Sequence, residues 1–242
     1  MGINWVPIKT GFTTPTFIKE LFEVVINCPH EDQAMDIAIF MVDEIQKNAK
    51  SREALSMRSH NYVAALTSGP VAPVPNTLFG KASLVNAMTI WARQVQPGGV
   101  WDHKPIIRLK FPTKGNSVKH HHKYKEFEYY YDIWSNIHYG YIGAYCGFSE
   151  SVLLDGAGLA QMLDDWWKDR EVTSRIETNG EGFRQFDDYT DHLSISFGIQ
   201  LFRDYPNPED LTPLILMEAI TKVDYPIQKN SKILHNCANV YQ

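Results

Sequence analysis

Three cysteines, no long apolar run and no excess of positive charge mark this 242-residue sequence. Cys28, Cys146 and Cys237 form no CxxC pair, and an odd, sparse set argues against a disulfide scaffold. A reduced compartment during synthesis is the expectation. No apolar stretch approaches the roughly 18–20 residues that a membrane span needs. The first residues, Met1-Gly2-Ile3-Asn4-Trp5-Val6-Pro7, lack the charged and apolar segments of an ordinary signal peptide. Export, if it occurs, is expected to use a specialised secretion machine. The formal net charge is -5, with no global basic face for phosphate. That disfavours a general nucleic-acid binder. Walker, dinucleotide, HExxH, GxSxG and zinc-ribbon patterns are missing as well, so no organic cofactor or nucleotide is implied.

What is present suits a folded domain: 44% hydrophobic, 21% charged and 12% aromatic residues. A helix is expected from Pro15 to Asn27. The clearest one runs from Glu31 to Lys50, where Ala34, Ile37, Ala38, Met41, Val42 and Ile45 share a face. Another follows from Ser51 to Leu66. Residues 68–76 hold three prolines and read as an extended loop. A helix from about Leu78 to Val95 ends at Pro97-Gly98-Gly99.

Residues 104–112 and 123–133 are rich in β-formers and flank Pro112-Thr113-Lys114-Gly115-Asn116-Ser117, which has turn chemistry. They predict a β-hairpin with a basic loop. At Ser135, a good N-cap, the pattern changes to a helical stripe of Trp134, His138, Tyr141 and Tyr145 that stops at Gly147. Further helices are predicted at 158–170, 187–204 and 209–223. In the second of these, Leu193, Ile195, Phe197, Ile199 and Leu201 alternate as a strand would, but Asp187, Asp188 and Asp191 stand where a helix N-terminus favours negative charge, and helix is the expectation. The fold class is therefore α+β: a mainly helical single domain with a central hairpin feeding the WSNIHYG helix. The expected division is a lead-in (1–30), a domain (31–225) and a tail (226–242).

The densest unusual segment is Tyr129 to Gly143. A carboxylate at Asp132 and an imidazole at His138, near a helix start, supply a base, an orienter and an anion cradle. A structural reading competes: Asp132 as a capping acid and His138 as a satisfied core residue. Gly140 and Gly143 allow a substrate or a neighbouring element to approach closely. The adjacent His120, His121 and His122 do not point one way on a strand, so a three-histidine metal site is disfavoured.

Residues 134–143, WSNIHYGYIG, resemble the signature of the polymorphic toxin type 44 family. Gly98-Gly99-Val100-Trp101-Asp102-His103-Lys104 resembles its PGG-x-WDHK element. Gly147-Phe148-Ser149 with Leu153-Leu154-Asp155-Gly156-Ala157-Gly158-Leu159 resembles its GFS and GAGL elements. Asp187-Asp188-Tyr189-Thr190-Asp191 with Gly198-Ile199 resembles a later one. The sequence departs from the family at Ala144, where an Arg is common, and at Tyr189, where a Pro is common.

The resemblance implies a toxin of interbacterial conflict with a cognate immunity protein. Carried over position by position, it marks Asp102, Lys104, Asp132, Asn136, His138, Asp188 and Asp191. The resulting expectation is catalysis by Asp132, His138 and Asp188, with substrate contacts from Asp102, Lys104, Trp134, Asn136, Tyr139 and Tyr141. Asp102, Asp132 and Asp188 could together hold Mg²⁺, which takes oxygen ligands. Tyr131-Asp132 and His138 also share the spacing of colicin M-type toxins, which cleave the lipid-linked peptidoglycan precursor. The first function expected is thus a hydrolase of the bacterial envelope, met in the periplasm. The alternatives are an RNase using His138, with the basic run 119–125 holding phosphate, and a non-enzymatic interaction module.

Overall fold

The computed structural model describes residues 28–67, 77–115 and 117–237. The expected 15–27 helix and the 68–76 loop lie outside them. The chain divides at His30/Glu31 into two units, and everything that follows concerns the second.

Helix α1 (Ala34–Ala49) buries the predicted stripe of Ile37, Ala38, Met41, Val42 and Ile45. Helices α2 (Arg52–Thr67) and α3 (Thr77–Val95) pack against each other. Near the end of α3, Trp91 meets Trp101, Tyr139 and Phe148 ring to ring.

The next segment corrects the expected hairpin. Residues 104–110 form a short helix, α4 (Lys104–Lys110), not a strand. Pro105 sits in its first turn, where a missing N–H costs nothing. Of its β-favouring side chains only Ile107 is buried, and Leu109 is 85% exposed. There is no sheet face for the alternation to serve. The hairpin lies later and is tighter: β1 (His121–Tyr124) pairs antiparallel with β2 (Phe127–Tyr130), with Lys125 at positive φ in the turn. A third strand, β3 (Lys232–Leu234), comes from the tail and pairs with the other edge of β2.

Helix α5 (Tyr131–Tyr145) follows β2 without a connector. It starts four residues before the predicted cap, so Ser135 is an interior, buried residue. Ile133, Trp134, Ile137, His138, Tyr141 and Ile142 are all buried. A helix apolar nearly all round is a core helix. Its neighbours are α1, α4, α6 (Glu150–Trp167) and α8 (Tyr189–Asp204). Helix α6 begins earlier than expected because Ser149 accepts from Val152 N and caps it. The polar stretch before α8 holds a short helix α7 (Ile176–Asn179) and a 3-10 turn, Phe183–Phe186. Helix α9 (Pro213–Ile220) closes over α1. None of the helices among the described residues is long and apolar enough to cross a membrane.

The contact of α5 with α8 positions the site. A Cβ on Gly140 would stand 2.1 Å from the carbonyl oxygen of Ile195, and one on Gly198 would stand 2.2 Å from that of Ile137. Only glycine at both positions lets the two backbones touch. Gly143 likewise admits Leu153 of α6. These glycines serve neighbouring helices, not a substrate.

Candidate active site

The first turns of α5 and α8 come out on the same side of their crossing. Asp132 lies in the first turn of α5 and Asp191 in that of α8; Asp188 is the N-cap of α8, accepting from Thr190 N at 2.9 Å. Both helix starts favour anions there. Lys104, the first residue of α4, reaches between them. Its Nζ is 2.7 Å from Asp132 Oδ1 and 3.7 Å from Asp191 Oδ2. Their common partner therefore holds the two oxygens no more than about 6.4 Å apart, a bound that a retaining glycosidase's carboxyl pair also meets. Burial alone would lower the Lys104 ammonium; the charges of Asp191 and Asp132 outweigh it, so its pKa is raised.

Asp187 completes the group. It is 3% exposed, and its Oδ2 has no hydrogen-bond partner. Burial, then the charge of Asp191, pushes its carboxyl up to about 8. Asp191 is raised to about 7, by burial first; Lys104 opposes that rise, and Asp132 and Asp188 add to it. The side chains of Asp191 and Asp132 remain 19% and 20% exposed, and that of Asp188 48%. The cluster therefore combines carboxyl groups that hold a proton near neutrality with a lysine-paired carboxylate, and solvent reaches it. Asp132, Asp188 and Asp191 supply the oxygen ligands that Mg²⁺ prefers. Between Asp132 and Asp191, however, the ammonium of Lys104 already fills the cation's place.

A set of polar contacts fixes Asp187 and Asp188 from behind. Asn179, 4% exposed, donates to the Asp187 carbonyl at 2.9 Å. Arg175 donates to the same carbonyl at 3.1 Å and lies 3.7 Å from Asp188 Oδ2. The loop carrying both is pinned to α6 by a two-pronged pair, Arg184 Nε and NH2 to Asp155 Oδ1 and Oδ2, each 2.9 Å. Such forked geometry specifies position as well as charge. Gly158 lets the loop approach, since a Cβ there would meet the Phe183 carbonyl at 2.0 Å.

The expected Asp132–His138 pair does not form. Six residues turn a helix by about 600°, so the two side chains leave α5 in different directions. His138 is 0% exposed. Its Nε2 accepts from Asn48 Nδ2 at 2.9 Å, and its ring lies 4.3 Å from that of His103. His103 in turn donates to Glu44 at 3.1 Å. Burial, and then His103, holds the His138 pKa well below the usual histidine value. His138 is thus part of a polar junction between α1, α4 and α5.

The residues expected to contact substrate divide similarly. Lys104 is in the cluster. Asp102 instead caps the approach to α4, accepting from Gly98 N and Lys104 N. Trp134 and Tyr141 are 0% exposed, and Tyr141 donates to the Tyr205 carbonyl. Tyr139 donates to the Leu153 carbonyl, and Asn136 is 7% exposed. These four belong to packing around α5, because the helix that carries them is the core. Of the basic run, His121, His122 and Lys123 are buried in β1, and Lys123 pairs with Asp32.

Sequence reasoning had placed Asp187 only at a helix start and had assigned nothing to Arg175 or Asn179. The available signal was the doubled Asp before α8 and the aspartate of the GAGL element, Asp155. Compared with known proteins, the chain matches no curated protein and no solved structure. A family model does match, that of bacterial toxin 44, over residues 90–204. Those residues run from the end of α3 to the end of α8 and hold every member of the cluster. Over them, the chain carries a toxin domain of the bacterial toxin 44 family.

Proposed function

We propose that this toxin domain is a hydrolase of the bacterial envelope, cleaving peptidoglycan or its lipid-linked precursor, with Asp132, Asp188 and Asp191 at its centre. The observation that carries the reading is the unequal carboxyl set around Lys104. Two neighbouring carboxyls whose environments separate their protonation states are the working parts of acid–base hydrolysis. Asp191, raised to about 7 and partly exposed, gives its proton to the leaving-group oxygen. Asp132 or Asp188 takes the proton of the attacking water. The bond from the electrophilic centre to that water forms as the bond to the leaving group breaks. Lys104 holds Asp132 in place and offers positive charge to an oxygen that becomes negative.

The RNase alternative relied on His138 as acid and base, and a residue at 0% exposure offers no path to RNA. Delivery into target cells and a cognate immunity protein belong to this same reading. The test is expression of the domain directed to the cytoplasm or to the periplasm of a bacterial host. Toxicity confined to the periplasm, lost in Asp191→Asn and Asp132→Asn with the fold retained, is the expected result. Toxicity from the cytoplasm accompanied by RNA loss would overturn it.

A further inference from the structure

Beside the carboxylates lies a rim of opposite sign. Arg108 is one turn after Lys104 on α4, on the same face, and its guanidinium sits 5.2 Å over the Tyr131 ring. The His120 ring lies 5.6 Å from the same Tyr131 ring, with Lys119 next to it in the chain. Tyr130 meets Tyr131 at 4.7 Å. Tyr131 therefore adjoins both Asp132, its neighbour in α5, and a basic patch of Arg108 and His120 with Lys119 beside it. In a chain of net charge -5, this concentration needs a reason.

His120 supplies one. Its φ is +68°, in the left-handed region that non-glycine residues rarely occupy. It is clamped there: its N–H donates to Thr113 Oγ1 at 2.8 Å, and its carbonyl accepts from Tyr131 N at 2.9 Å. The imidazole stays half-buried, and none of the described residues hydrogen-bonds to it. Backbone strain held by two clamps points to a role for the side chain, whose one contact among the described residues is its packing against Tyr131. A guanidinium and an imidazole flanking a phenol ring suit a phosphoryl group, and the paired tyrosines suit the flat face of a sugar.

We propose that Arg108, Lys119 and His120 bind the diphosphate of a lipid-linked saccharide, so that the scissile bond falls over Asp132 and Asp191. The proposal rests on the hydrolase reading and narrows it. An uncharged glycan has no need of this rim, whereas a diphosphate-bearing precursor does.

The experiment is calorimetric titration of inorganic pyrophosphate into the full chain and into Arg108→Gln, His120→Gly and Asp191→Asn. Saturable binding to the unaltered protein is expected, weakened about tenfold or more in Arg108→Gln, the equivalent of about 1.4 kcal/mol. His120→Gly should weaken binding several-fold while its melting midpoint stays level or rises, because glycine accepts φ +68° without strain. A purely structural His120 would show the reverse. Asp191→Asn should retain pyrophosphate binding and lose turnover of a polyprenyl-diphosphate saccharide in detergent micelles. Unchanged affinity in both rim variants overturns the proposal. So does equal turnover of phosphate-free glycan strands, or cleavage of single-stranded RNA that pyrophosphate inhibits. If Asp191→Asn remains active, the hydrolase reading itself fails, whatever the rim variants show.

Discussion

Asp191 illustrates how a single residue links stability to chemistry. Its folded pKa, about 7, stands above the ordinary carboxylate value, so the folded state holds a proton that the unfolded chain releases. Stability from that proton is complete below about pH 4 and is lost as pH rises through 7. Asp187 follows the same sign up to about 8. Asp191→Asn keeps the shape without the ionisation. It should be more stable than the unaltered protein at pH 8, by on the order of 2 kcal/mol, and so melt higher, with the gain vanishing toward pH 4. Thermal melts across pH 4–8 check this; a gain that grows toward acid would show that the carboxyl is not held protonated. His138 behaves differently. Replacing it with Ala strands the Asn48 amide in the core, at a cost of about 1–3 kcal/mol. Toxicity per folded molecule should persist, and its loss in a fully folded His138→Ala variant would return the histidine to the site. At this scale the sequence pointed to Asp132, Asp188, Asp191 and Lys104 through their motif positions. It could not separate His138 from them, because a buried polar junction and an active site draw on the same residue types. Only the angle around α5 distinguishes them.

At the scale of elements, the close crossing of α5 and α8 is the device that gathers the carboxylates. Gly198→Ala puts a methyl 2.2 Å from the Ile137 carbonyl oxygen, and backbone cannot step aside as a flexible side chain can. The helices must separate, at a cost of about 3 kcal/mol or more. Because Asp191 rides on α8 and Asp132 on α5, Lys104 should then lose one of them. Gly198→Ala is expected to lower the melting midpoint by ten degrees or so and to abolish toxicity; normal stability with full toxicity would refute the close-contact account. Helices α1 and α3 were legible from their apolar patterns, whereas α8 was legible only from the acids at its start, because Leu193, Ile195, Phe197, Ile199 and Leu201 alternate as in a strand. The α4 segment was not, since Ile106, Ile107 and Leu109 carry β-propensity while Pro105 and a single buried contact decide for helix. The start of α5 was missed for a related reason. The chain passes from strand to helix at Tyr130 with no side-chain cap, so no local residue announces the change.

At the scale of the whole molecule, the tail is a support of the site, although nothing in its sequence pattern suggested a strand. Strand β3 covers the outer edge of β2, pairing Phe127 with Leu234 and Tyr129 with Lys232. Just beyond it, His235 Nδ1 donates to Glu128 Oε1 at 2.6 Å. Glu128 is 1% exposed, and its other oxygen accepts from Val118 N. Deleting residues 226–242 therefore removes a strand and leaves a buried carboxylate without its imidazole. Breaking such a pair costs about 3–5 kcal/mol, a large part of the roughly 5–15 kcal/mol that holds a domain folded. The open β2 edge adds a template for aggregation. The damage also travels: β2 runs directly into the first turn of α5, so fraying at Glu128 and Tyr129 releases Asp132 from Lys104. The truncated chain is expected to melt at least ten degrees lower, to bind a hydrophobic dye and to lose toxicity, even though residues 90–204 remain intact. Purification of a truncated protein with an unchanged melting midpoint and full toxicity would show that the family-matched segment supports its own active site.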